Sequence, residues 1–222
     1  EGLELIAFSA REQAQDVLLS TKKGVSLRDA NLVVGTSSTR RIATLKHFHP
    51  QVKTVEVRGN LQTRIRKMEE GHCDALLLAY AGVHRMGYES LLLEHLDLNQ
   101  FIPAVGQGSI ALEASTNLDP SLREAIVSAC NDWQTEKCLL AERAFLRVLE
   151  GGCSIPVFAL ATLADNQVHL KGGIVSLDGQ QRIVLEVSGP ASQAVHLGES
   201  LAKQVLQAGG KTILEQIKQS PH

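Results

Sequence analysis

The sequence predicts a mixed architecture: an α/β region whose parallel or mixed sheet is covered by helices, followed by a smaller α+β domain built on an antiparallel sheet. Three observations predict it. Residues 31 to 88 alternate strand and helix signals with short connections, the pattern of helices laid over a sheet. Phe101 to Gly108, FIPAVGQG, combines a proline and two glycines with no periodicity and reads as a linker or hinge. After Cys153, three β runs are separated by Asp165-Asn166 and Asp178-Gly179, turn signals that make an antiparallel meander.

The elements follow in order. Leu3 to Phe8 is strand-like from the start of the chain. Asn31 to Gly35 is a short apolar run ending in glycine, and Ser38 or Ser37 then caps a helix running to about His47. Val52 to Val57 has period-two apolar spacing. Asn60 caps a second helix, with Leu61, Ile65 and Met68 on one face. Asp74 to Tyr80 is almost continuously apolar, as in a strand buried on both faces. Beyond the hinge, Ser109 to Ala114 reads as a strand, Ser121 to Cys130 as a helix opened by Pro120, and Trp133 to Leu149 as a longer helix. Val157 to Thr162, Val168 to Val175 and Arg182 to Val187 are the meander strands. Ser192 to Gln207 is an amphipathic helix closed by Gly209-Gly210, and Thr212 to Lys218 is a last short helix.

With 222 residues the chain has room for a sizeable core, and 44% hydrophobic with 21% charged residues is ordinary for a globular protein. A net charge of −2 gives no global basic field for nucleic acid or an anionic membrane. No apolar run approaches a spanning helix and no signal peptide opens the chain. Cys73, Cys130, Cys138 and Cys153 show no paired spacing, which fits a reduced, cytoplasmic setting. The histidines do not combine with cysteine at ligand spacing, so no metal site is expected.

Two clusters carry chemistry. In VVGTSSTRR, Arg40 and Arg41 fall in the first turn of a helix, where free N–H groups and positive potential already favour anions. Arg58 and Arg64 in VRGNLQTR and Arg85 in AGVHRMG also lie at strand-to-helix turns, the end of an open α/β sheet at which ligands bind. For any one of these arginines a solvated surface charge is the plain alternative; Arg66 is assigned to solvent. In EGGCSIP, a glycine pair places the Cys153 thiol on a loop between a helix and a strand. A lone cysteine is otherwise more often a small buried apolar residue. The two clusters suggest a polyanion site facing a covalent attachment point.

VVGTSSTRR, VRGNLQTR, AGVHRMG, PAVGQGSIALE, LAERAFLRVLEGGCSIPV and GGIVSLDG, in this order over nearly the whole chain, resemble the porphobilinogen deaminase (hydroxymethylbilane synthase) family. The resemblance implies a cytoplasmic, monomeric transferase of heme and tetrapyrrole biosynthesis. Such an enzyme joins four porphobilinogen molecules head to tail, releasing ammonia, through linear oligopyrroles. It implies a dipyrromethane cofactor on Cys153, with Ser38, Arg40, Arg41 and Arg58 binding its acetate and propionate arms and Arg64 and Arg85 binding substrate. It implies three domains, two of them hinged and like periplasmic binding proteins. Residues 1–12 would be the end of the first part of domain one, 13–102 domain two, 103–131 the hinge and the return of domain one, and 132–222 the cofactor-bearing α+β domain three. The family's His-Ser-Lys-Asp motif, which holds the catalytic aspartate, does not occur in the sequence. No catalytic residue is assigned, the chain alone is expected to be inactive, and a separate N-terminal segment is a candidate partner. The alternative is a non-catalytic anion-binding module.

Overall fold

The structure, a computed structural model, describes residues 2–152 and 154–219. Its central sheet has five strands in the order β4-β3-β5-β2-β6: β2 (Asp16–Leu19), β3 (Val33–Gly35), β4 (Lys53–Val55), β5 (Ala75–Ala79) and β6 (Leu92–His95). β3 runs parallel to β4 and β5, whereas β2 runs antiparallel to β5 and β6. Every residue of β2 and all but the last of β5 are buried. Leu18 and Leu77 face one apolar cluster with Leu45, while Val17, Leu19, Leu76 and Leu78 face another with Ile65 and Met68. This alternation explains the unbroken apolar runs, because both faces of these strands are covered.

Helix α1 (Thr39–Phe48) follows β3, α2 (Leu61–Glu69) follows β4, and α3 (Tyr80–Arg85) follows β5 without a connecting loop. Tyr80, read from sequence as the end of a strand, opens α3 instead. The period-two run at Val52 to Val57 shortens to three residues. β2 and β6 were not foreseen, and they make the sheet mixed.

β1 (Leu3–Phe8) pairs antiparallel with β7 (Ala111–Ser115) as a separate two-stranded ribbon. The helix beside it, α4 (Pro120–Cys130), has no buried residue. Between β6 and β7, residues 96–110 hold no strand or helix, as FIPAVGQG predicts.

The remaining chain forms the antiparallel sheet β10-β9-β8, from β8 (Val157–Ala164), β9 (Gln167–Val175) and β10 (Arg182–Pro190). One face packs on α5 (Trp133–Val148) and α6 (Ala194–Val205) around Phe145, Leu170 and Leu201. α5 and α6 cross so closely that a Cβ on Gly198 would lie 2.1 Å from the Ala141 carbonyl oxygen. A π turn, Leu206–Gly210, with Gly209 at φ 111°, joins α6 to α7 (Lys211–Gln219). The other face of this sheet meets the five-stranded unit through Phe158 and Val175 against Ala43 and Ile102.

Candidate functional site

Ser38 is the N-cap of α1, and its Oγ accepts the Arg41 N–H at 3.5 Å. That cap sets the start of the helix and hence the direction of the two arginines that follow. Both are buried, Arg40 at 5% and Arg41 at 8% exposure. They converge on Asp16, the first residue of β2, which is fully buried. Arg40 donates from Nη1 to Asp16 Oδ2 at 2.7 Å and from Nη2 to Oδ1 at 3.2 Å, and Nη1 also reaches the Ile102 carbonyl at 2.9 Å. Arg41 donates to Asp16 Oδ1 from Nη2 at 2.8 Å and from Nε at 3.1 Å. Gln107 completes the group, its amide donating to Asp16 Oδ1 at 2.9 Å and to the Ala14 carbonyl at 2.6 Å. Burial alone would raise the Asp16 carboxyl, but the two guanidinium charges and their hydrogen bonds outweigh it and hold the group well below the usual carboxylate range.

A second buried carboxylate, Glu142 of α5, lies on the other side of the same loop. It accepts from the backbone N–H of Gly106 and of Ala161, both at 2.8 Å, and pairs with Arg11. Arg11 Nε also donates to the Gln107 carbonyl at 2.8 Å. The segment around Gly106 and Gln107 is thus held from the five-stranded sheet by Asp16 and from the C-terminal unit by Glu142.

Above Asp16, Arg41 also borders an open pocket of about 380 Å³ with Arg64, Arg85 and Asn60 on its rim and Leu61, Leu78 and Ala79 among its apolar lining. Arg64 lies in the first turn of α2, which Asn60 caps by accepting the Thr63 N–H at 2.9 Å. Arg85 ends α3. Among the described residues, neither Arg64 nor Arg85 has a carboxylate partner. Burial, and then the nearby charge of Arg41, lower the Arg64 guanidinium. Four guanidinium groups therefore stand against the single carboxylate of Asp16, and the surplus positive charge faces the pocket. Such a surface takes carboxylates, which arginine grips with two parallel hydrogen bonds.

The sequence candidates separate accordingly. Arg41, Arg64 and Arg85 share the pocket. Arg40 lies beneath it, its two terminal nitrogens held by Asp16, the Ile102 carbonyl and Gln107 Oε1 while its buried Nε has no partner among the described residues, so its place in the structure is that of a support. Ser38 serves as a cap. Arg58 does not line the pocket; its side chain is 78% exposed and pairs with Glu56 at 2.6 Å. Cys153 lies outside the described residues. Of the glycines before it, a Cβ on Gly151 would lie 2.3 Å from Leu146 Cδ1, the movable end of a half-buried side chain, while one on Gly152 meets nothing. Sequence reasoning missed Asp16 and Gln107. The signal for Asp16 was a carboxylate opening the apolar run Asp16-Val17-Leu18-Leu19, where a charge needs a partner.

Comparison with known proteins bears on this arrangement. Residues 1–123 match the family model described as porphobilinogen deaminase, dipyromethane cofactor binding domain, and residues 136–207 match the porphobilinogen deaminase C-terminal domain. The porphobilinogen deaminase of Cytophaga hutchinsonii is 54% identical over 218 residues, covering 98% of this chain and 70% of that protein. That of Desulfosudis oleivorans is 50% identical over 220 residues, covering 98% and 71%. Among solved structures, a periplasmic His/Glu/Gln/Arg/opine family-binding protein from Silicibacter pomeroyi aligns over 57% of this chain and 54% of that one, at 15% identity and a TM-score of 0.32, too distant to assign anything.

Proposed function

The chain belongs to the porphobilinogen deaminase family of transferases, and from that premise we propose that it carries the carboxylate-binding side of a hydroxymethylbilane synthase site. The reaction is the stepwise head-to-tail condensation of four porphobilinogen molecules with release of ammonia. The observation that carries the reading is the unbalanced cluster of Arg41, Arg64 and Arg85 around one apolar-lined pocket.

The donor set fits a dipyrromethane. Each of its pyrrole rings presents a flat apolar body and two carboxylate arms, the complement of Leu61 and Leu78 surrounded by guanidinium groups. When bound, through Cys153 on this reading, the group supplies the terminal pyrrole carbon that the next unit joins. Arg64 and Arg85 take acetate or propionate arms, while Arg41 presents positive charge held in place from below by Asp16. Arg58 joins only when a carboxylate displaces Glu56 from it. Guanidinium groups stay charged through every cycle, so the grip does not change as protons move at the reacting carbons.

None of the described residues lining the pocket is acidic, and Asp16 is sealed beneath Arg40 and Arg41. The group that protonates the departing amine therefore comes, on this proposal, from the family's His-Ser-Lys-Asp segment, and these 222 residues bind ligand without turning it over. A surface suited to that segment exists. The two-stranded ribbon β1–β7 is marginal alone, α4 has no fully buried residue, and Leu3, Leu122 and Trp133 are exposed beside them. The same lack of an acid supports the second reading, an anion-binding module. Titration calorimetry with porphobilinogen tests the proposal: Arg85→Leu should weaken binding about tenfold or more, and Arg66→Leu should leave it unchanged. Equal losses would overturn the assignment of the ligand face.

A further inference from the structure

Resting on that assignment of the pocket, we infer that Gly59 is a positioning residue for Arg64, and that its backbone carbonyl fixes which edge of the guanidinium faces the ligand. Arg64 Nε donates to the Gly59 carbonyl at 2.8 Å. The two terminal nitrogens of Arg64 have no partner among the described residues, so the edge left open is the one that grips a carboxylate with two parallel bonds. A long side chain loses considerable rotamer freedom when a ligand immobilises it; anchoring Nε beforehand removes part of that cost.

The carbonyl points there because of an unusual backbone. Gly59 sits at φ +124°, outside the region open to residues with a side chain. Space is closed as well, because a Cβ on Gly59 would lie 2.7 Å from Thr63 Cγ2 and 2.8 Å from Thr63 Cβ. Thr63 is itself fixed by the Asn60 cap at 2.9 Å, and Arg64 N–H bonds to the Asn60 carbonyl at 3.0 Å. Gly59, Asn60, Thr63 and Arg64 thus form one closed unit, in which a side chain on Gly59 must turn the carbonyl away from Nε while leaving the charge of Arg64 in place.

The test is porphobilinogen binding by calorimetry to the full chain and to Gly59→Ala, Arg64→Leu, Arg64→Lys and the Gly59→Ala/Arg64→Leu pair, with thermal midpoints recorded. Gly59→Ala should weaken binding about tenfold. Arg64→Lys keeps the charge but has no Nε, and should lose a similar factor. In the Arg64→Leu background Gly59→Ala should cost nothing more. An equal loss from Gly59→Ala in both backgrounds, no loss from it, or wild-type binding by Arg64→Lys would overturn the inference; the Arg64→Lys arm decides if Gly59→Ala does not fold. Wild-type binding by Arg64→Leu would instead remove Arg64 from the site and take down the assignment on which the inference rests.

Discussion

Asp16 and Arg40 form a two-pronged ion pair, at 2.7 and 3.2 Å, in which the carboxylate is fully buried and the guanidinium nearly so. It joins the first residue of β2 to the first turn of α1, across the sheet whose end carries the pocket. Removing the carboxylate leaves the buried guanidinium groups of Arg40 and Arg41 uncompensated, which typically costs about 3–5 kcal/mol, whereas removing Arg40 leaves Asp16 still paired with Arg41. Asp16→Asn should therefore lower unfolding free energy by about that amount in urea titrations and Arg40→Leu by less, whereas Arg64→Leu should stay within about 0.5 kcal/mol of wild type. Equal stabilities for all four proteins would show that the pair is not structural.

Acid should reveal the same pair. An unfolded aspartate titrates near pH 4, and folded Asp16 is held well below that by Arg40 and Arg41 against the opposing effect of burial. The unfolded chain binds more protons in this range, so the contribution is complete above about pH 5 and is lost as the pH falls through 4 and below. Unfolding free energies measured from pH 6 down to 3 should fall less steeply in Asp16→Asn than in wild type. Parallel slopes would contradict the depressed titration.

The crossing of α5 and α6 gives a prediction independent of charge. Gly198→Ala forces a methyl against the Ala141 carbonyl and Ala144 Cβ, and overpacking of this kind costs roughly 1–3 kcal/mol. Gly82→Ala, which meets nothing within 4 Å, should be neutral or slightly stabilising in the same melting experiment. A reversed order would show that the helices are further apart than described.

Cys153 is the proposed attachment point. Intact mass of the chain produced together with the family's N-terminal segment should show a dipyrromethane adduct. Cys153→Ala should lose it and Cys130→Ala should keep it. An adduct that persists in Cys153→Ala, mapped to another cysteine, would move the attachment site.

Much of this was legible from local signals. Asn60 marks the start of α2 because its side chain caps the helix, and the apolar run at Ala75–Leu78 marks a strand covered on both faces. β2 was not legible, because four buried residues carry no period. The role of Asp16 was hidden for a related reason: its partners Arg40, Arg41 and Gln107 lie 24, 25 and 91 positions away, and only the antiparallel placement of β2 beside β5 brings them together. Arg40 and Arg41 stand out in the sequence because a basic first turn disfavours the helix dipole; the buried Asp16 that compensates both charges carries no such local signal. Arg58 had a nearer clue, since Glu56 stands two positions before it and reaches the same side of an extended stretch.

The central claim is that these residues hold the ligand-binding side of the site and that proton transfer comes from the family's N-terminal segment. General acid–base help is typically worth roughly 10²–10⁴-fold. Porphobilinogen consumption should therefore be undetectable with the 222-residue chain alone and should appear when a separately made segment containing His-Ser-Lys-Asp is added. Substantial turnover by the chain alone would contradict the account.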